Sequence, residues 1–182
     1  FLLAEREVNH GGAFAVDASG EWFLEPELAV ELGSELGGAE VDADDAHRAI
    51  VAHASAFELI RVRPGWSDRA LQRAANANTV GYVVGPRREG CPERPELDGL
   101  TVRCACDGNE VASVRAGEVN DNPLDTVAFL ARFLDRFGMA LKPGQVVLTG
   151  TFAGLLPMRP DQVWQLDISG LSPVSLRTTT RT

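Results

Sequence analysis

The chain has 182 residues, 45% hydrophobic and 24% charged, with a formal net charge of −9. That length and apolar content suit one globular domain, residues 1–182, with a real core. The acidic balance argues against nucleic acid as a partner, because binding it needs clustered positive charge, and no run of about 18 apolar residues is present to cross a membrane as a helix.

No signal peptide is visible. The first residue is Phe1 rather than Met, so the chain is expected to be a fragment or a processed product. Among 17 basic residues only Lys142 is a lysine, and the Arg-, Ala- and Gly-rich usage points to a GC-rich bacterial genome. Cys91, Cys104 and Cys106 make an odd set with no disulfide framework and no zinc-type spacing, which reads as reduced thiols in a cytoplasmic protein. His10, His47 and His53 share no metal spacing either; six residues apart on a helix, His47 and His53 do not lie side by side.

Residues 20–32 alternate, with Leu24, Leu28, Val30 and Leu32 on one side and Glu25, Glu27, Ala29 and Glu31 on the other, a period of two that predicts a strand with one core face. A turn over 33–38 leads to a predicted helix over 43–54, acidic at its start as the helix dipole favours. A short strand is expected at 57–63 and a short helix from Ser67, its N-cap, through Asn78. "TVGYVVG" reads as a strand ending at Gly85–Pro86, and the Pro/Gly-rich stretch after it as an exposed loop. Residues 100–118 read as a hairpin turning at Asp107–Gly108. "NPLDTVAFLARFLDRFG" is the clearest helix: Asn122 caps it, Pro123 suits its first turn, Gly138 closes it, and its broad apolar stripe should pack on a sheet. "KPGQVVLTG", "QVWQLDI" and "PVSLRT" supply three later strands. Strands with short links and few helices indicate an α+β fold.

Glu25 and Glu27, two apart on one strand, project to the same side. Such neighbours repel and raise each other's pKa unless solvated or bound to a cation. Two readings stay open: a solvent-facing strand edge, or a divalent cation held by hard oxygen ligands that keeps waters and open positions for a substrate. Glu58, inside the apolar "AFELI", is the candidate third ligand, since a glutamate buried there needs a partner.

The ordered blocks "FLEPELAVELG", "AFELIRVR", "AANANTVGYVVG", "GEVNDNPLDTVAFLARFL" and "LKPGQVVLTGTFAGLLPMRPDQVWQLDISGLSPVSLR" resemble the 2-keto-4-pentenoate hydratase and 4-oxalocrotonate decarboxylase family of the fumarylacetoacetate hydrolase superfamily. The resemblance covers residues 20–178. It implies a mixed β-sheet roll or partly closed barrel with a few packed helices, a Mg²⁺ or Mn²⁺ ion, and Glu25, Glu27 and Glu58 as the metal ligands. The implied reaction adds water to a 2-hydroxy-2,4-dienoate to give a 4-hydroxy-2-oxo acid in aromatic meta-cleavage degradation. Alternatives are decarboxylation of a 2-oxo-3-enedioate, or a non-catalytic truncated subunit that pairs with an active partner; a homo-oligomer or a complex with a related subunit is expected.

Arg63 matches a family arginine beyond the third ligand, as a substrate contact, a weak catalytic candidate, or a strand-supporting ion pair. The family's "ADNAS"-like segment reads "AANAN" here: Ala75 replaces the aspartate and Asn78 stands near the usual serine, either contacting substrate or capping a helix. Thr151, in the "LTGTF" turn, resembles a residue near the family's site. His10 is a weak catalytic candidate. The family carries roughly 70 further residues on the N-terminal side, the scale of a small domain, with a lysine and an aspartate for proton transfer; Lys142, in a "KPG" turn, is structural.

Overall fold

The computed structural model describes residues 4–17, 20–62 and 76–180. One sheet runs β1 (Ala13–Val16), β11 (Val174–Thr180), β10 (Val163–Ile168), β6 (Thr101–Cys106), β7 (Asn109–Arg115). The other runs β4 (Thr79–Val84), β3 (Ile50–Val62), β2 (Glu21–Leu32), β8 (Val146–Thr151), with β5 (Arg88–Glu89) on β3 and β9 (Leu156–Met158) on β2. Every pairing in these sheets is antiparallel except β1 with β11. Four α-helices are found among the described residues, α1 (Ala43–Ala49), α2 (Arg94–Gly99), α3 (Ala116–Val119) and α4 (Pro123–Asp135), beside two short 3₁₀ turns at Ala4–Arg6 and Asn76–Asn78. This is the expected mixed-sheet α+β fold, laid out as two sheets without a closed barrel among the described residues.

The alternation read in residues 20–32 is the organising feature. Leu24, Leu28, Val30 and Leu32 enter the main core with Phe57 and Leu59 of β3, Leu166 and Ile168 of β10, and Leu176 of β11. Antiparallel sheets commonly bury one face on the core and leave the other for different work. On that second face Ala29, Ala54 and Ala56 form a separate small cluster with Tyr82 and Val84.

Three expectations are corrected. The helix predicted over 43–54 stops at Ala49, and residues 50–56 are strand instead. Asp42 and Asp45 cap that short helix in both directions. From Ile50 the backbone turns extended, and Leu32↔Ile50 through Glu27↔Ala56 pair along β2; the partner strand overrides the helical preference of Ala52, Ala54 and Ala56. The exposed loop after Pro86 contains α2, whose Glu93 and Glu96 form a capping box with Pro95 in the first turn. The hairpin ends at Arg115, and residues 116–119 form α3. The helix predicted from Ser67 lies outside the described residues except at Asn76–Asn78, a 3₁₀ turn with positive φ at all three positions.

Other expectations hold. Asp107 and Gly108 turn the β6–β7 hairpin, both with positive φ. All three cysteines are free, and burial pushes the Cys104 thiol up to about 12, so it is an inert core group. Lys142 pairs with Glu35 at 2.6 Å. His47 and His53 bond the backbone carbonyls of Cys91 and Gly90.

Asn122 ties the start of α4 to α2. Its Oδ1 accepts from the Leu124 N–H at 3.0 Å, and its amide donates to the Arg94 carbonyl and Asp98 Oδ1. Asn122→Ala should therefore lower unfolding free energy by about 1–3 kcal/mol in urea denaturation, more than a solvent-exposed cap would. A loss below about 0.5 kcal/mol would show that α4 is held by its apolar stripe alone.

Candidate metal centre

The pairing register of β2 with β3 places Glu25 directly opposite Glu58. Glu27, one pleat further along β2, points to the same face, and one carboxylate oxygen from each of Glu25, Glu27 and Glu58 lies within 4.8 Å of the other two. An octahedral Mg²⁺ with ligands at about 2.1 Å needs oxygens roughly 3 to 4 Å apart. The convergence of three carboxylate oxygens to within 4.8 Å of one another is close to that spacing, so the chemistry and placement of the set fit a hard divalent cation.

Each carboxylate has its own support. Glu27 is 3% exposed, and its Oε2 accepts from the Gly150 N–H at 2.7 Å. Gly150 has φ +104, a backbone conformation open to glycine. Glu58 Oε1 accepts from the Thr79 hydroxyl. Thr79 is buried and begins β4 directly after the left-handed Asn76–Asn78 turn. Pro26, between the two β2 glutamates, accepts from the Phe152 N–H, which ties the turn after β8 to the site.

The electrostatics are those of acids crowded without a counter-charge. Burial, then repulsion from Glu58 and a hydrogen bond with it, push Glu25 up to about 7. Glu27 is pushed upward by burial and by Glu58, and the Gly150 bond offsets this only in part. Metal-ligating carboxylates must be ionised, so a cation and the protons compete for the same oxygens.

The other predicted residues fare differently. Arg63 and Ala75 lie outside the described residues. Asn78 is next to Thr79, and its buried Oδ1 has no hydrogen-bond partner among the described residues. Thr151 sits opposite Glu27 in the β2–β8 register. Its hydroxyl is engaged in its own turn, donating to the Gly154 carbonyl and accepting from the Ala153 N–H, both at 3.3 Å. His10 is exposed, and its Nδ1 accepts from the Ser175 N–H on the other sheet. Sequence reasoning missed Thr79 and Gly150, which hold Glu58 and Glu27. The signal for Gly150 was a glycine inside the "VVLTGT" strand, which marks a close backbone approach.

Comparison with known proteins is consistent with this geometry. Residues 8–177 match the family model described as fumarylacetoacetate (FAA) hydrolase C-terminal. A 2-hydroxyhexa-2,4-dienoate hydratase of Comamonas testosteroni is 27% identical over 182 residues, covering 98% of this chain and 69% of its own. The TodF product hydratase of Pseudomonas putida is 30% identical over 178 residues, covering 96% and 65%. Among solved structures, the 4-oxalocrotonate decarboxylase from Pseudomonas putida G7, complexed with magnesium and adipate, superimposes with a TM-score of 0.84 at 26% identity, covering 96% of this chain and 66% of that one. The chain thus spans about two thirds of the length of these relatives.

The raised pKa of Glu25 sets a direction for stability. In the metal-free protein its retained proton stabilises the fold fully below the ordinary value of 4.5, and that contribution is lost as pH rises through about 7. Glu25→Gln should therefore be more stable than wild type at pH 8 in EDTA, by on the order of 1 kcal/mol because the half-exposed position screens the rest. The gain should shrink towards pH 5, as followed by thermal melts. A variant less stable than wild type at pH 8 would contradict the crowding.

Proposed function

Because the chain belongs to the fumarylacetoacetate (FAA) hydrolase C-terminal family, we propose that Glu25, Glu27 and Glu58 hold a Mg²⁺ or Mn²⁺ ion in a hydratase that adds water to a 2-hydroxy-2,4-dienoate. The observation that carries this reading is the convergence of three carboxylate oxygens within 4.8 Å, two of the acids held by donors from β8 and β4. When bound, the cation supplies Lewis-acid polarisation of the oxygens of a 2-oxo acid. The chain's own part is to hold that charge in place. Gly150 and Thr79 fix Glu27 and Glu58 so that little reorganisation is needed as charge develops. Burial of Glu27 keeps bulk water from weakening that interaction.

Asn78, Thr151 and Arg63 are proposed for the substrate side. Asn78 offers an unpaired buried oxygen. Thr151 shapes the turn beside Glu27. Arg63, outside the described residues, is assigned a substrate contact by the resemblance alone, as a positive charge suited to an acid substrate. His10, bonded to Ser175, is a poor proton shuttle for this site. Hydration also needs a proton donor and acceptor, which the resemblance assigns to a segment on the N-terminal side of this region. The second reading, decarboxylation of a 2-oxo-3-enedioate, draws on the 4-oxalocrotonate decarboxylase likeness; the third is a non-catalytic subunit.

A cytoplasmic location fits the free thiols, and no helix of the described residues is long and apolar enough to cross a membrane. Assembly as a homo-oligomer or with a related subunit is supported by the outer face of α4. There Phe129 and Phe133, with Phe137 just beyond the end of the helix, are 61%, 42% and 62% exposed and pack in a row. Apolar stripes of this kind mark contact surfaces.

Two measurements test the function. With Mg²⁺ and 2-hydroxypenta-2,4-dienoate, a 4-hydroxy-2-oxo acid product supports the hydratase. Release of CO₂ from 4-oxalocrotonate supports the decarboxylase, and a folded, metal-binding protein that turns over neither is the non-catalytic subunit. Glu27→Gln should weaken Mg²⁺ binding at least about tenfold in calorimetry, the scale of one lost charged ligand, and unchanged affinity counts against the site.

A further inference from the structure

Asn120 lies where the short helix α3 hands over to α4. Its backbone N–H closes α3 on the Ala116 carbonyl at 3.2 Å, and its side-chain Oδ1 accepts from the Asp121 N–H at 3.0 Å. That bond settles which end of the amide faces which way: Nδ2 is turned to β8. A Cβ placed on Gly150 would meet Asn120 Nδ2 at 2.9 Å, closer than any other neighbour. The peptide N–H of the same Gly150 holds Glu27 at 2.7 Å. One glycine therefore has a metal-site carboxylate on its amide and a side-chain amide over its Cα. The two hydrogens on Asn120 Nδ2 have no acceptor among the described residues, and the residue is only partly exposed. A primary amide carries two donors, and here one end is anchored while the other is left unused over the glycine whose N–H holds Glu27.

We infer that Asn120 Nδ2 is a specificity-determining donor for the acid bound at this site, hydrogen-bonding an oxygen of the 2-oxo acid while the carboxylates hold the cation. The inference rests on the proposed metal and 2-oxo acid reading. Glutamates can offer a bound acid no donor once ionised, so recognition of its oxygens falls to neutral N–H and O–H groups and to the cation. An amide suits the task because it adds a donor without adding a charge that would compete with the cation for Glu27. The absence of a side chain at Gly150 makes room for that amide, a second role for this glycine beside its φ of +104.

Calorimetry with pyruvate as the probe, on the Mg²⁺-loaded protein, tests this. Asn120→Ala should weaken pyruvate binding about tenfold, the scale of one hydrogen bond to a charged acceptor, with Mg²⁺ affinity within about twofold of wild type. Asn120→Asp should weaken pyruvate binding further, because it sets a carboxylate against the ligand's own, and should not weaken Mg²⁺ binding. In the wild-type protein, the Asn120 side-chain amide resonances should move when pyruvate is added to the Mg²⁺ form and stay put with Mg²⁺ alone; this readout does not depend on the variants folding. Unchanged pyruvate affinity in Asn120→Ala, equal losses of Mg²⁺ and pyruvate affinity, or amide resonances indifferent to pyruvate would each overturn the inference and leave the metal reading standing. Failure of the Mg²⁺-loaded wild type to bind pyruvate would overturn the 2-oxo acid reading and this inference with it.

Discussion

Three carboxylates are forced together by strand register, and much of the surrounding structure serves to tolerate that crowding. Glu25 faces Glu58 because β2 and β3 pair antiparallel, and Glu27 joins them because side chains two apart share a face. Without a cation the cluster keeps protons that isolated glutamates would have lost. Isolated buried charges are very unfavourable, so such a cluster persists only where bonds and packing over-determine it. Here those bonds come from outside the two strands: the Gly150 amide from β8 and the Thr79 hydroxyl from β4.

The two faces of the β2–β3 ribbon divide the labour between stability and chemistry. One face presents Leu24, Leu28, Val30 and Leu32 to a core that continues through β10, β11 and the inner side of α4. The opposite face carries the acids, then a floor of Ala29, Ala54 and Ala56 beside Tyr82 and Val84. Alanines keep that floor low next to the glutamates. The loops that finish the site hang from the same sheet: the left-handed turn before β4, the glycine within β8, and Phe152, buried and hydrogen-bonded back to Pro26.

The sequence made one strand of this site plain and left its partners obscure. Period two in "FLEPELAVEL" gave the direction of Glu25 and Glu27, because alternation is a local property. Glu58 could be singled out as an acid in an apolar run, but its position opposite Glu25 depends on the register of two strands separated by a helix. Local composition misled at "IVAHASA", where alanines suggest helix and only pairing with β2 makes them strand. Residues 93–99 looked like loop because Pro and Gly outweighed the Glu93–Glu96 cap. Gly150 and Asn120 meet through tertiary contact between β8 and the α3–α4 junction. No spacing along the chain announces such a meeting. Asn122, by contrast, was legible, since an Asn-Pro opening an amphipathic run is a local signal.

Anomalous diffraction at the manganese edge, from crystals grown with Mn²⁺, tests the central claim most directly. The account predicts an anomalous peak between β2 and β3, with an oxygen of each of Glu25, Glu27 and Glu58 at roughly 2.2 Å, the usual span for a hard divalent ion on carboxylates. A manganese-soaked crystal with no peak there, and with the three side chains turned away from one another into solvent, would contradict it.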